Sequence, residues 1–463
     1  MLVGRDREMA QLQKLWADAC EGKPQLGVMY GRRRVGKTFL CVALLDELRR
    51  DRHRVVYFNA TEESEGIQLR RLADAMRRDL GSEATAPLQE SFSSWESALE
   101  YLLVSSRQQP LAVVIDEVSW LTESTPAFAS IVQSVWDRAT TFGPAARLLL
   151  LLTGSAIGAL TRLLSAGGPL FRRARLQQRL DPLNVREAAR LLPGANPEAV
   201  IQAYAACGGI PLYLSAWDTS ASAGQNLEAL AGSPGGILLE DAPSVVRDEI
   251  GGEVGFGRVL AAIGTGITRR GAIADATAQR IETSLDVLQA SGLVRRATPL
   301  GAPRRATPFY EVPDPYLRFW YSVLFRNVGL IAGGQGRVVL ARESSQIDRH
   351  VAWVWEELAR WHAVAEVGHR LPPELLIGRW WDHHGQDEID VLGLDGSRTA
   401  LVGEARWSVR TVEPRDVARL LAKAGRTPGF VGTPQVAIWS KAGITPTVAG
   451  AGVQAFGPGD VVG

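Results

Sequence analysis

Between Leu26 and about Leu180, short apolar runs alternate with longer segments whose apolar residues recur every three to four positions. The runs Leu26 to Tyr30, Arg54 to Asn59, Leu111 to Asp116 and Arg147 to Thr153 have strand length. Apolar residues fall on both faces of each, which predicts a parallel sheet covered on both sides by helices. Thr38 to Arg50, Gly66 to Leu80 and Ser94 to Ser106 carry the helical period and predict those covers.

From Asn184 to Trp217 the pattern is helical, interrupted at Cys207-Gly208-Gly209-Ile210-Pro211, and the Gly- and Ser-rich stretch Thr219 to Gly236 reads as a loop. Three short helical patterns follow between about Phe256 and Tyr316, with the turn-like Thr265-Gly266 before the second and Leu285, Leu288 and Leu293 in the third. Leu293 to Ala297 and Pro308 to Val312, joined by Pro299 to Arg304, then predict a two-strand ribbon. Helices followed by such a ribbon suggest a winged helix-turn-helix. From about Gln346 the pattern restarts: a helix with Val351, Trp355 and Leu358 on one face, strands near Glu374 to Trp381, Glu388 to Leu394 and Ala400 to Ala405, a helix over Pro414 to Ala424 and a strand over Gln435 to Trp439. This is a second α/β unit.

Length and composition change this picture little. A chain of 463 residues suggests about three domains. Lys and Arg total 51 against 50 for Asp and Glu, so any nucleic-acid surface must be local. The start, MLVGRDREM, has no apolar signal core, and no run of about twenty apolar residues occurs, which predicts a cytoplasmic protein with no membrane partner. Cys20, Cys41 and Cys207 are scattered and odd in number, as expected of reduced thiols outside any zinc site or disulfide framework. The basic residues are overwhelmingly Arg, so a Lys inside a motif stands out.

Lys37 is such a residue. Gly31-Arg32-Arg33-Arg34-Val35-Gly36-Lys37-Thr38 fits GxxxxGK[ST] in full, between a predicted strand and a predicted helix. The glycines let backbone amides turn toward phosphates, and the helix presents its positive end to them. Lys37 would reach the β- and γ-phosphates and the Thr38 hydroxyl would ligate Mg²⁺. About eighty residues on, the strand Leu111 to Asp116 ends in Asp116-Glu117. Asp116 would hold Mg²⁺ and Glu117 would polarise the attacking water, a pairing that favours hydrolysis over phosphate transfer. Thr153 or Ser155, ending the Arg147 to Thr153 strand, suits a sensor of the γ-phosphate, although ordinary turn chemistry gives the same residues. Arg172 and Arg173 could contact that phosphate or form an exposed basic turn.

These residues resemble a known family. Val3-Gly4-Arg5 with Glu8, GRRRVGKT, VVIDE, LLTGS, CGGIPLYL (Cys207 to Leu214) and YEVPDPYLRFWY (Tyr310 to Tyr321) are similar to segments of the archaeal-type ATPases, a branch of the AAA-like signal-transduction NTPases. The resemblance implies ATP as ligand, with Gly4 and Arg5 near the adenine. It also implies a P-loop AAA-like ATPase domain over 1–180, a helical lid over 181–240, a winged helix-turn-helix over 241–318, a linker over 319–345 and a nuclease-like domain over 346–463.

In that last part, Asp390 and Glu404 end neighbouring strand patterns, and Glu356 on the preceding helix could join them around a second Mg²⁺. The arrangement resembles the PD-(D/E)xK nuclease fold, with Arg406 standing where that family has Lys. An Arg keeps the charge but does not easily lose a proton, so nucleic-acid binding could survive without cleavage. A solvated sheet edge carries similar residues. His383 and His384 are adjacent and point apart on a strand, a poor metal pair. Arg269, Arg270, Arg280, Arg295, Arg296, Arg304 and Arg305 surround the winged helix; they could follow DNA phosphates or be paired where it packs as a switch element. The expectation is a Mg²⁺-dependent ATPase switch, with DNA, protein partners or further copies of itself as partners. An ATP-gated nuclease and a non-cleaving scaffold are the alternatives.

Overall fold

The computed structural model describes residues 2–81, 85, 91–141, 145–155, 157–250, 254–302, 307–382 and 386–463. His383, His384, Arg304 and Arg305 lie outside them. The chain divides into two compact units, Met1–Pro182 and Leu183–Gly463.

The first unit is built on five strands: β1 (Gln25–Tyr30), β2 (Arg54–Asn59), β3 (Leu111–Asp116), β4 (Leu148–Gly154) and β5 (Leu176–Arg179), in the order β2-β3-β4-β1-β5. All neighbours are parallel. Every residue of β3 and β4 is buried, which is why both read as unbroken apolar runs. β5, with the sequence LQQR, alternates in burial and carries too few apolar residues to read as a buried strand. Helices Lys37–Arg50, Glu65–Leu80 and Trp95–Gln108 match the predicted ones. Trp95, fully buried, meets Phe128 edge to face at 5.1 Å and anchors the core on one side of the sheet. The register sets Tyr30 level with Gly154 and Asn59 level with Asp116, so the strands end together along one edge.

The second unit opens with helices Val185–Ala189, Pro197–Cys207 and Pro211–Ser215. Part of the stretch expected to be a loop, Thr219 to Gly236, is a helix, Ala223–Leu230. Ser222 and Gln225 cap each other at its start, and Leu227 and Asn226 are buried, which offsets the glycines around it. Helices Val254–Gly264, Arg270–Thr277 and Glu282–Ala290 precede an antiparallel ribbon of β6 (Arg295–Ala297) and β7 (Phe309–Glu311). Residues 319–345, expected as a linker, are helical and buried at Phe319, Trp320, Tyr321, Val323 and Leu324. Aromatic residues spaced for packing, not for solvent, account for the difference.

The helix Ser344–Glu366 then leads to β8 (Leu376–Trp381), β9 (Glu388–Asp395), β10 (Arg398–Arg406), β11 (Gln435–Ser440) and β12 (Gln454–Phe456). Their order is β12-β11-β10-β9-β8, antiparallel from β8 to β10 and parallel from β10 to β12. No helix among the described residues is long and apolar enough to cross a membrane.

Candidate nucleotide site and C-terminal carboxylates

Gly31 follows β1 directly, and a Cβ placed there would run into the Leu180 carbonyl. Gly36, at φ 97°, is the left-handed residue from which the helix Lys37–Arg50 starts, and Arg34 is also left-handed. The resulting loop turns Lys37 inward: its side chain is buried, and Nζ donates to the carbonyls of Gly31 (2.8 Å) and Arg32 (3.0 Å). Arg5, also buried, donates to the carbonyls of Val35 (3.0 Å) and Asp181 (2.6 Å). The segment Gly4–Arg5 thus braces the loop from behind.

Because β4 lies between β1 and β3, its end faces both the loop and Asp116. Asp116 is buried and collects three hydroxyls. Thr38 Oγ1 donates to Oδ2 at 2.6 Å, Tyr57 donates to the same oxygen at 2.9 Å, and Thr153 Oγ1 donates to Oδ1. Burial and the neighbouring Asp116 charge push the Tyr57 phenol above its ordinary value, so it stays a donor. Glu117 takes a left-handed backbone, φ 52°, and its Oε2 accepts from the Ser155 hydroxyl (2.8 Å) and the Ser155 amide (3.2 Å). Thr153 therefore reaches the first carboxylate and Ser155 the second. Tyr57 escaped the sequence reading because it sits inside an apolar strand, with no motif to distinguish it from a core aromatic.

Arg172 is not brought to this site. It lines a cleft with Pro24 and Gln25, at the entry to β1, while the loop lies at the exit. At about 3.3 Å per residue, six residues of strand put roughly 15–20 Å between them. Arg173 is held bidentately by Asp137, at 2.7 Å for each contact. Neither arginine serves the loop of its own chain in this arrangement.

In the second unit, single carboxylate oxygens of Glu356, Glu388 and Asp390 all lie within 4.8 Å of one another. Glu388, two residues before Asp390 on β9, shares its face of the strand and completes the group. Burial and the Asp390 charge raise Glu356 to about 8; burial also raises Asp390, to about 6, against a hydrogen bond from the Ala405 amide (2.8 Å). Glu404 instead accepts from Arg406 Nε at 2.8 Å, and Arg406 also pairs with Asp416 at 3.0 Å. Arg406 is thus neutralised twice.

A parallel sheet with this strand order, a phosphate loop and an Asp-Glu strand end defines a P-loop NTP hydrolase. Residues 2–216 match the family described as an ATPase domain predominantly from Archaea, and this part of the chain is an archaeal-type ATPase domain. The chain is accordingly a nucleotide-binding ATPase. Residues 320–417 match a family of archaeal and bacterial proteins of unknown function. An uncharacterized protein of Methanocaldococcus jannaschii is 24% identical over 447 residues, covering 93% of each chain. Among solved structures, a Walker-type ATPase of Pyrococcus abyssi shares the fold with a TM-score of 0.52 at 17% identity, over 69% of this chain and 96% of that one. The Aeropyrum pernix ORC2 protein, solved in ADPNP and ADP complexes, gives a TM-score of 0.47 at 14% identity, over 74% and 96%.

Proposed function

We propose that the chain hydrolyses ATP with Mg²⁺ and uses the bound nucleotide to switch its second unit between conformations. The observation that carries this reading is the convergence of Thr38, Thr153 and Tyr57 on Asp116 beside a loop that cages Lys37. Thr38 and Asp116 would hold the cation, whose contribution is Lewis-acid stabilisation of charge on the phosphate oxygens. Lys37 exchanges its two loop carbonyls for phosphate oxygens, and Arg5 keeps the loop from spreading as it does so. Glu117 leaves Ser155 to accept a proton from the attacking water, while Ser155 gains a donor to turn toward the γ-phosphate. These exchanges give the nucleotide-bound and empty states different hydrogen bonds, which a switch requires.

We read the second unit as a helical lid over 181–240, a winged helix-turn-helix over 241–318 and a nuclease-like domain over 346–463. The ribbon of the winged helix is engaged: Arg295 pairs with Glu311 (2.6 Å) and Glu357 (2.9 Å), Phe309 stacks on Trp381 at 4.7 Å, and Leu300 packs into the C-terminal core. That supports a packing element moved by the switch more than a standing DNA-binding wing. DNA remains the macromolecule proposed for the opened state. The converging carboxylates support a divalent-cation site in the C-terminal sheet, and the neutralised Arg406 supports binding there without cleavage.

Hydrogen exchange of the full chain with ATP analogue, with ADP and without nucleotide tests the switch. Amides of the ribbon and of the helix Ser344–Glu366 are expected to differ between the analogue and ADP in the wild type. They are expected not to differ in Lys37→Ala. Identical exchange in all wild-type states would remove the switch and leave the hydrolase.

A further inference from the structure

Asp116 is only 1% exposed, and both of its carboxylate oxygens are fully engaged. Oδ1 accepts from the Thr153 hydroxyl and from the Glu117 amide (3.0 Å). Oδ2 accepts from Thr38 Oγ1 (2.6 Å) and from the Tyr57 phenol (2.9 Å). A carboxylate offers about four lone-pair sites, and these donors take them all. Anything else that Asp116 is to hold, a divalent cation or one of its waters, has to displace a donor.

The donors differ in how readily they leave. The Glu117 amide is backbone. Thr153 is fully buried on β4, between β1 and β3. Thr38 begins the loop helix and can ligate a cation through its oxygen while its O–H stays on Asp116. Tyr57 is of another kind. It is half-buried on β2, the end strand of the sheet, level with Val114 and reaching forward one pleat to Asp116. Its amide donates to Asp79 (2.9 Å), which pins the backbone, so the phenol turns away by side-chain rotation alone. It also shares Oδ2 with Thr38, and the lone pair it vacates is therefore on the oxygen beside the residue that would ligate the cation.

We propose that Tyr57 is a placeholder on Asp116: its phenol occupies one lone pair of Oδ2 in the empty protein and gives it up when Mg²⁺ arrives with the nucleotide. The proposal rests on the reading of Thr38 and Asp116 as the residues that hold the cation. Bound Mg²⁺ usually keeps several waters, and a water O–H from that shell replaces the phenol, donor for donor. In the empty site the phenol keeps a buried carboxylate satisfied that would otherwise be costly to maintain. The same hydrogen bond has to be broken before the lone pair is available, so Tyr57 weakens the hold on Mg²⁺. It is a positioning residue that tunes release of the metal-nucleotide pair.

Titration calorimetry of the full chain with the imido analogue of ATP, in Mg²⁺ and in EDTA, reads the factor by which Mg²⁺ raises affinity. Tyr57→Phe keeps the ring and deletes the hydroxyl. It is expected to increase that factor by about tenfold, the worth of a hydrogen bond to a charged group, and to leave affinity in EDTA unchanged. Thr153→Val, which removes a donor present in both states, is expected not to increase it. Thermal unfolding gives a second reading. Tyr57→Phe is expected to melt earlier than the wild type when empty, and the difference is expected to narrow or reverse at saturating Mg²⁺ and analogue. A factor that falls or stays the same in Tyr57→Phe, or a melting difference that persists undiminished on saturation, overturns the placeholder, because the phenol then holds Asp116 in both states. A wild type whose affinity Mg²⁺ does not raise overturns the assignment of Thr38 and Asp116 to the cation, and the placeholder with it.

Discussion

Asp116 is buried with three hydroxyl donors around it, and each donor comes from a different element: Thr38 from the loop helix, Tyr57 from β2 and Thr153 from β4. Such a carboxylate is held in one rotamer before any ligand arrives, and removing a donor leaves a lone pair unsatisfied in a dry site. Thr153→Val keeps the shape and deletes the hydroxyl. It is expected to lower the unfolding free energy by about 1–3 kcal/mol, read from the shift of the urea midpoint. It is also expected to raise the Mg²⁺ concentration needed for half-maximal hydrolysis. An unchanged midpoint would mean that Thr153 merely fills space.

At the scale of elements, the site exists because five parallel strands end in register and the chain turns sharply after β1. Gly31 makes that turn where the Leu180 carbonyl closes over it, so Gly31→Ala must displace the segment after β5 or the loop itself. The variant is expected to lose ATP binding and to melt earlier than the wild type, by calorimetry; retained binding would show that the loop can shift at little cost. Strands β1 to β4 and three of the covering helices were legible in the sequence because mostly buried parallel strands are continuous apolar runs. The loop and Asp116-Glu117 were legible because phosphate chemistry fixes residue types at fixed spacing. β5 was not, since an edge strand buries half its side chains and can be polar. Glu388 was not, since its part depends on β9 and the helix Ser344–Glu366 bringing together three carboxylates that are far apart in sequence, from Glu356 to Asp390. Arg172 looked apt for a phosphate contact because a sequence gives charge and not the end of the sheet on which it falls.

For the whole molecule, the second unit is the one made sensitive to pH by a buried carboxyl. Glu356 is raised to about 8 by burial first and by the Asp390 charge second, with Arg360 and Arg379 opposing and Glu388 adding to the shift. A carboxyl raised in the folded state binds more protons folded than unfolded, so stability falls as pH climbs from the ordinary Glu range through about 8. Glu356→Gln is expected to raise the melting temperature at pH 8.5 and to change it little at pH 4. Mn²⁺ is expected to stabilise the wild type at pH 8.5 more than this variant; equal effects would argue against a cation held by Glu356, Glu388 and Asp390. In the first unit, the loop from Gly31 to Thr38 and the Asp116-Glu117 strand end are proposed to hydrolyse ATP together. Steady-state phosphate release by the purified chain, with Mg²⁺, beside Lys37→Ala and Glu117→Gln, tests it most directly. Mg²⁺-dependent release by the wild type is expected, reduced by about a hundredfold or more in each variant, with ATP still bound by Glu117→Gln. Equal release from all three proteins would contradict it.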